Sequence, residues 1–159
     1  MNTLTTTAVI LALLGSALIA GIFFAFSSFI MKALARLPAS QGMAAMQAIN
    51  ITVLNPLFLA VFMGTTVISL LITVLAVIGW QMPAAPYYLI GAVLYIVGTF
   101  LLTGLGNVPL NNQLAAVSAN DSAASETWQH YLDQWTRLNT LRTISATAAA
   151  MMMLTGLLK

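Results

Sequence analysis

Charge is scarce in this sequence: Asp, Glu, Lys and Arg make up 5% of its 159 residues, against about 25% in an average soluble domain. Between Arg36 and Asp121 there is no charged residue at all. So few charges cannot cover the surface of a water-soluble globule, which excludes the soluble and disordered classes. Cysteine is absent, which removes disulfides, thiolate nucleophiles and cysteine-based metal sites and leaves the redox compartment unread. Histidine occurs once, at His130, so a multi-histidine metal site is excluded. The net charge of +2 is too small and too scattered to form the clustered basic face that nucleic acid requires.

Apolar residues fill the space instead, at 60% of the chain. A helix needs about 20 of them to cross the roughly 30 Å hydrocarbon core, and four segments are candidates, near residues 4–31, 55–78, 86–106 and 138–158. The expected fold is all-α: one integral membrane domain over residues 1–159, a four-helix transmembrane bundle with short helical extensions on the loop 1/loop 3 side. The first span has no basic leader and is too long for a signal peptide, so it reads as retained. Asn55 before Pro56 predicts a capped start for the second. Trp80, Tyr87 and Tyr88 read as interfacial aromatics, and the third span is expected to extend past Pro109. In the fourth, the uncharged stretch 143–158 is short, so Arg142 must lie near an interface or be neutralised within the bundle. Lys32, Arg36, Arg137 and Arg142 flank loops 1 and 3, with Lys159 opposite. The positive-inside rule then puts loops 1 and 3 in the cytoplasm and both termini outside, in the cytoplasmic (inner) membrane.

Small residues at helix-packing spacing (Ala17, Gly21 and Ala25; Gly91 and Gly98; Ala146 and Ala150) predict close contacts and leave room for a homo-oligomer. The polar residues gather at one end. Gln47 and Asn50 in loop 1, Asn107 and Asn111 at the end of span 3, and Trp128, Trp135, Asn139 and Arg142 at the entry to span 4 all fall on the loop 1/loop 3 side. Polar groups at membrane depth are costly and usually face the bundle interior. At 100° per residue, Trp128, Tyr131, Trp135, Asn139 and Arg142 lie within roughly 80° of each other. Glu126, His130, Asp133 and Arg137 take the opposite side, where Asp133 and Arg137 would form an ordinary i,i+4 pair and His130 a surface residue. Thr99, Thr103, Asn107 and Asn111 repeat every four residues on one face, as interhelical hydrogen-bonding groups or as the wall of a pocket.

The stretches Gly21-Ile-Phe-Phe-Ala-Phe-Ser, Met46-Gln-Ala-Ile-Asn50, Leu54-Asn-Pro-Leu-Phe58, Gly106-Asn-Val-Pro-Leu-Asn-Asn112 and Trp135-Thr-Arg-Leu-Asn-Thr-Leu-Arg-Thr143 together resemble the anthrone oxygenase-like (DUF1772) family of small membrane proteins. The resemblance runs over nearly the whole chain. It implies a four-helix membrane bundle and, by analogy with fungal members, oxidation of polycyclic anthrones to anthraquinones by dioxygen, with no cofactor expected. Chemistry of this kind needs a donor set for a developing oxyanion and an apolar aromatic slot. Arg142, Asn107, Asn111 and Asn139 are the candidate catalytic set, with Trp128, Trp135, Asn50 and Gln47 as candidate substrate contacts. Two other readings stay open: a non-catalytic binder or facilitator of small lipophiles, and a haem or metal protein using His130. The expected partners are a lipophilic small molecule, membrane lipids and dioxygen, with no nucleic acid.

Overall fold

The computed structural model describes residues 3–118, 121 and 124–159. These form five helices: α1 (Thr3–Leu34), α2 (Ala39–Thr52), α3 (Pro56–Ile78), α4 (Ala85–Ala115) and α5 (Ala124–Leu157). There is no strand among the described residues. Helices α1, α3 and α4 are long and apolar enough to cross a membrane. Helix α5 falls outside that group because the polar run through Asn139, Thr140, Arg142 and Thr143 interrupts its apolar half. The architecture is therefore all-helical with three such helices and α5 packed along them. Helix α3 contacts α1 and α4, and α5 contacts the same two from the other side.

In α1 large apolar side chains face outward and mostly small residues face inward. Leu11, Leu14, Leu18 and Phe24 of α1 are exposed, whereas its Ala8, Ala12, Gly15 and Ser16 are buried. In lipid no hydrophobic force drives helices together, so close backbone approach through small residues takes its place. A Cβ on Gly91 would lie 3.0 Å from the Ala149 carbonyl oxygen, and Gly15, Gly98 and Gly156 press against Thr65, Ser145 and Tyr88. The expected contact row at Ala17 and Gly21 instead faces outward, and a Cβ on Gly21 would point into open space. The small residues that do pack lie on the other face of α1. Tyr88, expected at the interface, is core: it is 1% exposed and fills the space beside Gly156.

Asn55 caps α3 as its spacing predicts, its Oδ1 accepting from the Phe58 amide at 3.0 Å ahead of Pro56 in the first turn. Loop 1 is mostly the 14-residue helix α2. Helix α4 does run past Pro109, which sits early in the segment Val108–Ala115, where a missing N–H costs little after the preceding change of helical register. That change is a widening to i→i+5 geometry at Ile96–Leu101 and Thr103–Asn107, with a third such segment at Phe26–Ile30 of α1. Four residues overshoot one α-helical turn by about 40°; the wider turn offsets that drift and keeps Thr99, Thr103, Asn107 and Asn111 in line.

Candidate functional site

The widened segments of α1 and α4 open a cavity of about 820 Å³ between them, α2 and α5. Its polar lining includes Gln47, Asn50, Thr103, Asn107, Asn111 and Arg142; its apolar walls include Phe23, Phe26 and Trp135. The predicted phase of α5 holds. Trp128, Tyr131, Trp135, Asn139 and Arg142 are at most 5% exposed, while Glu126, His130, Asp133 and Arg137 are exposed. Asp133 accepts from its neighbour Gln134 at 2.8 Å rather than pairing with Arg137.

Arg142 is the centre of the arrangement. It is 3% exposed. Its Nη1 donates to Thr103 Oγ1 at 3.0 Å and its Nη2 to Asn139 Oδ1 at 2.7 Å. Its Nε is buried with no partner. The guanidinium carbon sits 4.1 Å from the centre of the Phe23 ring and 5.3 Å from that of Trp135, both cation–π distances. No carboxylate pairs with it: Asp121, Glu126 and Asp133, the chain's only acidic side chains, are all exposed. A buried cation held by hydroxyl, amide and ring faces alone has its geometry fixed and its charge uncompensated.

The amides divide into those that hold and those that present. Asn139 lies outside the cavity lining and holds: its Nδ2 donates to the Phe23 carbonyl and to Ser27 Oγ, both at 2.7 Å, tying α5 to α1 while its Oδ1 orients Arg142. Gln47 holds too, its Nε2 donating to the Leu114 and Val117 carbonyls at the end of α4. Asn111 presents. Its Oδ1 accepts from Tyr131 Oη at 2.8 Å and from Trp135 Nε1 at 2.9 Å. An indole N–H only donates, so the amide orientation is fixed and its NH₂ is left for the cavity. Asn50 Nδ2 donates to Tyr131 Oη at 3.3 Å, completing the chain of bonds. Asn107 donates to the Trp135 carbonyl at 3.2 Å, and its buried Oδ1 has no partner.

Burial pushes the Tyr131 phenol well above its ordinary range, against the pull of Asn50's hydrogen bond and the Arg142 charge. It therefore stays a donor to Asn111 and is no base. Trp128 is outside the cavity: it stacks on Tyr131 with ring centres 5.8 Å apart and packs tightly on Gly42 of α2. Its position on the aromatic stripe reflects core packing. His130 lines a separate shallow depression with Glu126 and Gln113, and no group of three His, Asp or Glu gathers among the described residues.

Phe23, Ser27 and Tyr131 complete the site without having been assigned to it from the sequence, and Thr103, left open between an interhelical bond and a pocket wall, serves as both. The signal for Tyr131 was its place on the α5 stripe, and for Phe23 and Ser27 their i,i+4 spacing; neither says which helix lies opposite. The profile of the anthrone oxygenase family matches residues 57–152, over half of the chain, covering α3, α4 and most of α5 with Asn107, Asn111, Tyr131, Trp135, Asn139 and Arg142. No curated protein and no solved structure matches the chain significantly. With Arg142 and the site's amides Asn107, Asn111 and Asn139 inside the matched region and Gln47 and Asn50 ahead of it, the chain belongs to the anthrone oxygenase family.

Proposed function

We propose that this protein is a membrane-embedded oxygenase that converts a lipophilic polycyclic aromatic of the anthrone type to its quinone with dioxygen, without a protein-bound metal. The single observation that carries the reading is the buried, uncompensated guanidinium of Arg142 in the wall of an apolar cavity. An anthrone has an acidic C–H para to its carbonyl. Loss of that proton puts negative charge on the carbonyl oxygen, where Arg142 and the Asn111 NH₂ supply donors already oriented in a low-dielectric site. The carbanion transfers electrons to dioxygen, a C–O bond forms at the deprotonated carbon, and loss of water from the resulting hydroperoxide leaves the quinone. The balance is anthrone plus O₂ to anthraquinone plus H₂O. Water is the proton acceptor, since Tyr131 is held protonated and the carboxylates and His130 lie on the far face of α5 or in loop 3.

The reading includes the second half of α5 as a fourth membrane passage, in a cytoplasmic membrane with loops 1 and 3 on the cytoplasmic side. The substrate arrives through lipid: Ile51, Leu54 and Val108 at the cavity are 76, 65 and 40% exposed, an apolar rim that a membrane-dissolved aromatic can cross.

The test is oxygen uptake and quinone absorbance with an anthrone and purified protein in lipid nanodiscs, corrected for spontaneous oxidation. The expected result is a rate well above that of heat-denatured protein, falling at least a hundredfold in Arg142→Gln. Ligand binding with no rate above that background would overturn the enzymatic reading in favour of a carrier of lipophiles. Equal rates for wild type and variant would remove Arg142 from the chemistry.

A further inference from the structure

The same cavity selects its ligands by charge, and we infer that it binds lipophilic aromatic carboxylates as dead-end ligands. The inference rests on the functional reading for the cavity and its cation, but not on any oxygen chemistry. Arg142 has five N–H donors and uses two of them in the hydrogen bonds to Thr103 and Asn139. Its Nε, nine-tenths buried with the rest of the side chain, has no partner. The cavity lining contains no Asp or Glu. A ligand that brings one negative charge with it therefore meets an unopposed cation and is favoured over a neutral one of the same shape.

The remaining features fix the rest of that ligand. Phe23, Phe26 and Trp135 give the walls aromatic faces, and the volume lies toward the upper end of the roughly 300–1,000 Å³ common for small-molecule sites. Three fused rings fit such a space. A carboxylate offers a guanidinium two acceptor oxygens and forms the stronger, charge-assisted class of hydrogen bond, and Asn111 contributes a further donor group to the lining of the same cavity. An arene carboxylate has no acidic C–H to lose, so it occupies the site and does not react. A methyl ester of the same skeleton keeps the rings and loses the charge; an aminomethyl analogue places a second cation beside Arg142.

The experiment uses the full chain in phosphatidylcholine nanodiscs, with empty discs as the partition control. Binding is read by energy transfer from tryptophan to 9-anthracenecarboxylate, its methyl ester and 9-aminomethylanthracene. The carboxylate should bind saturably and at least tenfold more tightly than either analogue. Arg142→Lys should keep the preference, Arg142→Gln should lose it, and His130→Ala should leave it unchanged. Equal affinity of wild type for the carboxylate and the ester would overturn the inference without recourse to any variant. The carboxylate should also raise KM for anthrone oxidation and leave kcat unchanged. Anthrone oxidation untouched by saturating carboxylate would sink the inference and spare the oxygenase reading; carboxylate binding without anthrone turnover would do the reverse.

Discussion

The two ends of the molecule use opposite kinds of packing. Around the 79–84 turn, Ala8, Ala12, Ala76, Ala84 and Ala92 let the helices close on each other, with Tyr88 and Met153 filling what remains. At the other end Met31, Met43, Met46, Trp128, Tyr131 and Trp135 form a bulky cluster, and the helices beside it widen to i→i+5 turns. At the narrow end Thr73 and Thr155 bond four residues back within their own helices at 2.9 and 2.8 Å, while the Ser16 and Ser69 hydroxyls beside them stay buried without a partner. The wide end spends its amides across helices and leaves Arg142 Nε and Asn107 Oδ1 unpaired. The contrast separates what holds the helices together from what borders the cavity: a close-packed end fixes the frame, and the loosened end places a cation and several amides around open space.

Substitutions at each end should therefore fail differently. The largest effect expected is that of Arg142→Gln, a loss of at least a hundredfold in kcat/KM for anthrone oxidation, the scale of losing an oriented donor to a developing oxyanion (about 10²–10³), with helicity by circular dichroism unchanged. At the narrow end, Gly91→Val puts a side chain against the Ala149 carbonyl. Overpacking of this kind costs about 1–3 kcal/mol, so thermal unfolding in nanodiscs should shift down while activity per folded molecule is retained. A variant at that end that abolished catalysis without loss of stability would break the comparison.

Tyr131→Phe sharpens it. Without the hydroxyl, Asn111 keeps its bond to Trp135 and loses the second one. A hydrogen bond is worth about 1 kcal/mol net, so kcat/KM should fall about fivefold to tenfold, carried mostly by kcat. The same substitution has a pH signature. Because burial raises the folded-state value of this phenol, its contribution to stability is complete below about pH 10, the ordinary tyrosine value. It is lost as pH rises beyond that, where the unfolded chain ionises first. Alkaline unfolding monitored by fluorescence should be shallower in Tyr131→Phe than in wild type. The smallest effect expected is that of His130→Ala, which lies outside the cavity: turnover should stay within twofold between pH 6 and 8.

Much of the frame was legible in the sequence. Apolar length placed α1, α3 and α4; Asn55-Pro56 placed the start of α3; the 100° periodicity placed the buried and exposed faces of α5 to the residue. The inward turn of Arg142, Asn107 and Asn111 followed from the cost of polar groups at depth. What stayed hidden was pairing between distant segments. Asn139 reaches Phe23 and Ser27 across more than a hundred residues, and Gln47 reaches the end of α4. Neither bond is encoded in local spacing, so the sequence put Asn139 in the catalytic set and Gln47 among the substrate contacts with no sign that both also fasten helices together. Trp128 misled for a related reason: periodicity reports which face is buried, not whether a cavity or a neighbouring glycine lies against it. The outward row at Ala17 and Gly21 shows the same limit, since small residues mark where helices can meet and not where they do.

A structure determined with anthraquinone, the expected product, bound to the protein in nanodiscs tests the central claim most directly. The account predicts the three rings against Phe23 and Trp135, with one quinone oxygen within about 3 Å of an Arg142 nitrogen, the length of an ordinary hydrogen bond. A ligand held elsewhere, with the Arg142 guanidinium turned out of the cavity toward lipid headgroups, would contradict it.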